Sequence, residues 1–241
     1  MREDNNDYQA FLTERRQYLL SAIAEACVRA GREPSEVTPL AVSKTVGPDE
    51  VLLAWRAGWR GFAENRPQEL GRKLAAAAQA PEMEGVRFDL IGNLQKNKIN
   101  QVVGNVALIH SVSSLELAQA ISSRSERRGL VSDVLLEVNV SGEESKSGFS
   151  PELLREQVED VVKETGIHVL GLMTMAPKGD ADRARRTFSG LRELAEELRG
   201  RTGLALPELS CGMSNDFPLA VEEGATIVRL GRTCFDPNYQ I

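Results

Sequence analysis

The chain has 241 residues, 41% of them hydrophobic and 27% charged, with a net charge of −6. That mixture excludes a disordered, collagenous or low-complexity chain and is long enough to bury a sizeable core. The acidic balance, with aromatics at only 5%, argues against nucleic acid or an anionic membrane as a partner.

The first thirty residues read as a helix, with Phe11, Leu12, Leu19, Ile23 and Cys27 recurring at helical spacing and Gly31 as a stop. Short apolar runs follow, each leading into a polar turn and a helical stretch. Pro39–Ser43 is the first, after which Gly47-Pro48-Asp49-Glu50 opens a helix carrying Val51, Leu52 and Trp55 that ends near Gly58. Gly61–Ala63 and Phe88–Gly92 are the second and third runs. Val106–His110 is the fourth, and Ser114 caps the helix behind it. Asp133–Asn139, Ile167–Met173, Leu206–Ser210 and Thr226–Leu230 complete eight. Leu153, Val158, Val161 and Val162 mark the helix before Gly166; Ala184, Phe188, Leu191, Ala195 and Leu198 mark the one that Gly200 stops.

Strand, helix, strand repeated with short turns implies right-handed crossovers and a parallel sheet. Eight such units, without a linker or a composition break, predict one domain over residues 1–241. Its fold class is α/β, a single (β/α)8 TIM-type barrel preceded by an N-terminal helix. An open doubly wound sheet is the rival, disfavoured because no G-x-G-x-x-G follows the first strand. No apolar run is long enough for a membrane span, and Met1–Asp7 is polar and acidic with no signal core. A cytoplasmic protein is expected, with a monomer as the default. Cys27, Cys211 and Cys234 are far apart, and His110 and His168 are the only histidines, so neither a disulfide framework nor a metal site is predicted. The cysteines read as core thiols and the histidines as satisfied strand residues.

Functional groups in such a barrel collect at the C-terminal ends of the strands. Those ends read Ser43-Lys44-Thr45, Glu64-Asn65, Gly92-Asn93-Leu94-Gln95, Ser111, Asn139 with Ser141, Met173-Thr174-Met175, Gly212-Met213-Ser214-Asn215-Asp216, and Arg229 with Gly231. The set is rich in amides, hydroxyls and cations, and suits an anion or an electrophile with an anionic tail. Lys44 is the sharpest member. At the mouth of the first strand, partial desolvation and neighbouring cations are expected to depress its pKa and free an amine for Schiff-base chemistry. Taken alone it reads first as a lysine reaching for solvent. Gly212–Asp216, followed by a short helical stretch, is a phosphate-type cradle as well as a plain N-cap. Arg229-Leu230-Gly231-Arg232 leaves the last strand, where these barrels commonly hold phosphate. Together the three features favour pyridoxal 5'-phosphate (PLP). Lys146, in the long loop Ser141–Phe149, is a candidate second amine; Lys96 and Lys98 read as a helix face.

These residues fall into motifs that resemble the PLP homeostasis proteins (the YggS/PROSC family) of the alanine-racemase-like barrel superfamily. The motifs run Ala41-Val-Ser-Lys44-Thr45, Glu64-Asn65-x-x-Gln68-Glu69, Phe88-x-x-Ile-Gly92-x-Leu-Gln95-x-Asn97-Lys98, and Val138-Asn139 leading to Ser145-Lys-Ser-Gly148. Gly171-Leu-Met-Thr-Met175, Leu209-Ser-x-Gly212-Met-Ser214-x-Asp216 and Val228-Arg229-x-Gly231 follow in the family's order. The resemblance spans the first helix to about Phe235. It implies PLP joined to Lys44 as an internal aldimine, its ring against Asn65 and Met213, and Arg229 facing the pyridine nitrogen. Ser214 and the main chain around Gly231 and Arg232 would hold the phosphate. It implies no catalytic residue, no metal, and a role in intracellular PLP homeostasis without robust turnover, with amino acids or PLP-dependent apoenzymes as partners besides PLP. The chain departs from the family pattern at Asn93, at Arg232 where many members have threonine, and in the ending Phe235-Asp236-Pro237-Asn238-Tyr239. Arg232 opens the phosphate contact to a guanidinium or leaves it to the main chain.

An arginine against the pyridine nitrogen displaces an acid there and leaves the ring a poorer electron sink. Racemisation needs an acid/base group on each face of the substrate. In the resembling racemases one is a tyrosine from a second, all-β domain, for which this chain leaves no room. A protein that binds, protects and passes on PLP is therefore the leading expectation. Two alternatives stand beside it. One is a slow PLP-dependent amino-acid racemase, with Lys146 or Tyr239 as the extra proton carrier. The other is a barrel that binds a phosphorylated metabolite non-covalently, with Lys44 as a charge contact.

Overall fold

The alternation along the apolar runs is realised as eight parallel strands in a computed structural model that describes residues 2–240. They are β1 (Thr38–Val42), β2 (Gly61–Glu64), β3 (Arg87–Leu90), β4 (Leu108–Val112), β5 (Ser132–Glu137), β6 (Ile167–Met173), β7 (Glu208–Met213) and β8 (Ile227–Leu230). Each pairs in parallel with the next, and β8 returns to β1 through Leu40 opposite Arg229, which closes the barrel. Helix α1 (Arg2–Ala30) precedes β1, and α2 (Pro48–Arg56) and α3 (Pro67–Ala77) follow β1 and β2. Later crossovers are α4 (Leu115–Arg127), α5 (Pro151–Val162), α6 (Ala181–Thr202) and α7 (Phe217–Glu222), and α8 (Arg232–Phe235) follows β8. The crossover from β3 to β4 carries only 3-10 helix: Lys96 and Lys98 lie on the turn Lys96–Gln101, not on an α-helix face.

Helix starts obey local chemistry. Pro48, Pro67 and Pro151 occupy first-turn positions, where a missing N–H leaves no bond unmade. Ser114, Ser150 and Asp180 accept from the N–H three residues on. Strand periodicity sorts the core into two layers. Leu40, Val42, Ala63, Leu108, Leu135, Met173 and Ile227 fill the barrel lumen. Their alternates Ala41, Phe62, Ile109, Leu136, Leu172 and Val228 join the layer under the helices. Helix α1 buries Leu12, Leu19, Ile23 and Cys27 as predicted, and Gly31 ends it in the left-handed region at φ +66°. All three cysteines are free and buried.

Several boundaries differ from expectation. Leu206 sits at φ +40° and is followed by Pro207, which has no N–H to give a ladder, so β7 begins at Glu208 rather than Leu206. Strand β4 starts two residues later than the fourth apolar run and continues to Val112, because Ser111 and Val112 are buried as fully as the residues before them. Gly200 stays helical, and Gly203, at φ +74°, supplies the left-handed cap instead. On α5 the buried face is Leu154, Val158 and Val161; Leu153 and Val162 lie off that stripe and are exposed. His168 is the partnered strand histidine expected, on the solvent side of β6 with its Nδ1 3.1 Å from Asp133. Among the described residues no helix is long and apolar enough to cross a membrane, and no group of three or more His, Cys, Asp or Glu is placed to hold a metal.

Candidate functional site

The C-terminal ends of the strands form one rim, and Lys44 stands on it. Ser43 closes the β1 ladder by donating its N–H to the Ala63 carbonyl at 2.9 Å, and Val46 N–H turns back to the Ser43 carbonyl at 3.1 Å. Lys44 is therefore a turn residue lifted beyond the packed lumen. It is exposed, so the expected desolvation is absent, and its Nζ pairs with no other described residue.

Behind this turn lies a buried ion pair. Lys73 of α3 is 2% exposed and Glu64 of β2 is fully buried. The Lys73 ammonium meets the Glu64 carboxylate and donates to the Ser43 carbonyl at 2.6 Å. Glu64 also accepts from the Ser43 hydroxyl at 2.9 Å and from the Asn65 N–H at 3.2 Å. Gly92 packs on the same spot, where an added Cβ would stand 2.6 Å from Asn65 Cα. Asn65, a predicted site residue, is thus half-buried in a fixed backbone one residue beyond the pair. Sequence reasoning misses Lys73. The available signal is its place in the stripe Pro67, Leu70, Lys73, Ala77, which is otherwise apolar and entirely buried.

A second polar chain crosses the lumen. Arg229 of β8, 4% exposed, donates to the Ser210 hydroxyl at 2.6 Å and to the Thr174 carbonyl at 2.9 Å. Ser210 Oγ lies 2.9 Å from His110 Nδ1, and His110 Nε2 lies 3.1 Å from Asp89. Asp89 in turn accepts both arms of Arg87 at 2.9 and 3.0 Å. Strands β4 and β7 are not neighbours, so the His110–Ser210 contact spans the barrel interior. Burial depresses the His110 pKa despite Asp89, so the neutral ring donates its one N–H to Asp89 and accepts from the Ser210 hydroxyl. His110 is the satisfied histidine the sequence predicts. Burial also pulls the Arg229 pKa down, opposed by Cys211, Asp216 and Glu137. Glu137, the last residue of β5, is 3% exposed and its Oε2 has no partner. Desolvation pushes its pKa up to about 7, with Arg229 opposing.

The loops after β7 and β8 meet beside β1. Gly212 takes φ +86°, and a Cβ there would stand 2.6 Å from the Ala220 Cβ. Asp216 accepts from Met213 N–H at 2.6 Å, and burial raises its carboxyl pKa. The Ser214 hydroxyl accepts from Thr233 N–H at 3.2 Å, joining the two loops. Gly231 lies against Val42, where an added Cβ would stand 3.6 Å from the Val42 Cβ. Met213 and Ser214 are half-buried, while Arg232 is exposed. Its guanidinium lies over the Tyr239 ring at 5.2 Å and reaches Asn215 at 3.5 Å. Lys146 is engaged as well: its ammonium donates to the Met175 carbonyl at 3.0 Å and pairs with Glu143.

The structure thus gathers Lys44, Asn65, Met213, Ser214, Arg229 and Gly231 at one end of the barrel, with Arg232 on its outer edge. A free amine, a buried guanidinium and a hydroxyl-and-glycine rim suit a carbonyl compound with an anionic tail. The family model of the alanine racemase N-terminal domain matches residues 20–237. The chain is 42% identical over 223 residues to the pyridoxal phosphate homeostasis protein of Aquifex aeolicus, covering 92% of this chain and 96% of that one. An unknown protein of Bifidobacterium adolescentis has a similar structure, with a TM-score of 0.90, 40% identity, and coverage of 95% of this chain and 96% of that one. PipY of Synechococcus elongatus, solved with PLP bound, gives a TM-score of 0.77 at 35% identity, covering 88% of this chain and 99% of that one.

Proposed function

The chain belongs to the alanine racemase N-terminal domain family and, within it, to the pyridoxal phosphate homeostasis proteins, and on that premise we propose that it holds PLP as a Schiff base on Lys44 and serves PLP homeostasis. The observation that carries the reading is Lys44 itself. It is an exposed amine with no partner among the described residues, at the end of the first strand, in a chain 35% identical to one solved with PLP bound. PLP supplies an aldehyde that condenses reversibly with amines. Lys44 would be the amine that holds it, through a C=N bond formed with loss of water. Exposure of Lys44 leaves the linkage open to exchange with other amines, as a carrier requires.

The other residues divide the remaining surface of the ligand. Arg229 meets the ring nitrogen as a donor, held by Ser210 and the Thr174 carbonyl. A guanidinium there keeps a proton off that nitrogen and weakens the ring as an electron sink, which favours holding over turnover. Asn65 and Met213 flank the ring. Ser214 and the main chain at Gly231 and Arg232 hold the phosphate, and Arg232, lying over Tyr239, adds long-range positive charge. The two groups a racemase reading would recruit are both committed: Lys146 to Glu143 and Met175, Tyr239 to Asn215.

The test is the absorbance spectrum after PLP is added and the excess removed. Wild type is expected to show a near-visible imine band that borohydride abolishes, and Lys44→Ala to show none. A band unchanged by that substitution would overturn the covalent assignment and leave the phosphometabolite-binding barrel.

A further inference from the structure

We propose that Lys73 and Glu64 are positioning residues for the site: they hold Ser43 and Asn65, and through them the Lys44 amine, in the geometry that PLP requires. The inference rests on the PLP reading above. A buried ion pair is poorly explained by stability alone, because well-packed apolar residues of similar volume are commonly as stable or more so. What distinguishes this pair is where its remaining bonds end. The Lys73 ammonium donates to the carbonyl of Ser43, the residue before Lys44. Glu64 takes the Ser43 hydroxyl with one oxygen and the Asn65 N–H with the other. Every hydrogen bond that leaves the pair therefore lands on one of two rim residues, one adjoining Lys44 and the other a predicted ring contact.

The surroundings reinforce this reading. The Lys44 side chain has no bond to any other described residue, and Lys44 belongs to a short turn whose closing bond, Val46 N–H to the Ser43 carbonyl, uses the acceptor that Lys73 also holds. Asn65 is pinned from its other side by Gly92, where no side chain fits. The ends of β1, β2 and β3 are thus fastened to one another from outside the lumen, and α3 contributes the ammonium that links them. A reactive amine on an exposed turn gains its precision from such support, since small misplacements cost large factors in reactivity.

The experiment compares wild type with the double variant Glu64→Leu/Lys73→Met. Removing both charges newly leaves only the Asn65 N–H without its acceptor, and the Ser43 hydroxyl keeps the Ala63 carbonyl at 3.4 Å. Thermal midpoint, PLP dissociation constant and amide hydrogen exchange at Lys44, Thr45 and Asn65 are measured together. The expected result is a midpoint close to wild type, a PLP dissociation constant raised by about tenfold or more, and faster exchange at those amides. Wild-type affinity and wild-type exchange in a folded double variant would overturn the proposal. Should that variant not fold, Glu64→Gln/Lys73→Met keeps one acceptor oxygen for the Asn65 N–H, while the Ser43 hydroxyl keeps the Ala63 carbonyl, and is read in the same way, with the Ser43 carbonyl released. Should wild type itself take up no PLP, the PLP reading fails, and the exchange rates alone decide whether the pair fixes the rim.

Discussion

Lys73→Met alone is expected to cost about 3–5 kcal/mol of stability, the range for breaking a buried ion pair on one side only. Glu64 is fully buried, so its carboxylate cannot recover water once the ammonium is gone. Its bonds from the Ser43 hydroxyl and the Asn65 N–H remain, but neither is a counter-charge. For a chain of this size that loss corresponds to a midpoint lower by roughly 6–20 °C. Thermal unfolding followed by circular dichroism checks it. The contrast with the double apolar variant is diagnostic: one methionine should destabilise more than two apolar residues, because the penalty is the orphaned charge and not the lost contact. A midpoint within about 2 °C of wild type, the ordinary scatter for a surface change, would mean that the carboxylate is not desolvated as the fold implies.

Glu137→Gln is expected to shift stability in a strongly pH-dependent way. The Glu137 carboxyl is buried without a partner for Oε2 and has its pKa pushed up to about 7 by desolvation. In the unfolded chain it titrates near about 4.3. Below both values it is protonated in either state and contributes no pH dependence. As pH rises from about 4.3 to 7, the unfolded state releases its proton first, so folding is progressively penalised. The penalty is complete by about pH 8 and amounts to roughly 4 kcal/mol. The amide of the variant carries no such titration. Its midpoint relative to wild type should therefore climb between about pH 4.5 and pH 8 and then level off. Melting curves across that range test it, and an offset independent of pH would show that the carboxyl titrates normally. The unpaired amide adds a constant cost, which the comparison across pH removes.

The barrel is legible in the sequence because its signals are local. Eight short apolar runs, most of them followed by a cap or a proline, specify strand and helix without reference to distant residues. Lys44, Ser214 and Gly231 are legible for the same reason: each sits at a strand end, where this fold keeps its chemistry. What the sequence conceals depends on closure. The Arg229–Ser210–His110–Asp89 chain draws on four strands, with His110 and Ser210 separated by 100 positions, and only the closed barrel brings them together. Lys73 looks like any surface lysine until the apolar stripe around it is placed against β2. The exposure of Lys44 departs from expectation for a related reason. A strand-end position suggests the lumen, but the turn closed by Val46 carries the residue past it. Gly200 misleads because a glycine marks a helix end only where the left-handed conformation is needed, and Gly203 meets that need.

The central claim is the covalent attachment of PLP at Lys44, and the most direct measurement is peptide mass spectrometry after borohydride reduction of the PLP-loaded protein. A reduced phosphopyridoxyl group on the peptide containing Lys44 is the predicted result. Lys73, which is buried, and Lys146, which is paired with Glu143, should remain unmodified. An unmodified Lys44 peptide, or a label carried mainly by Lys146, would contradict it.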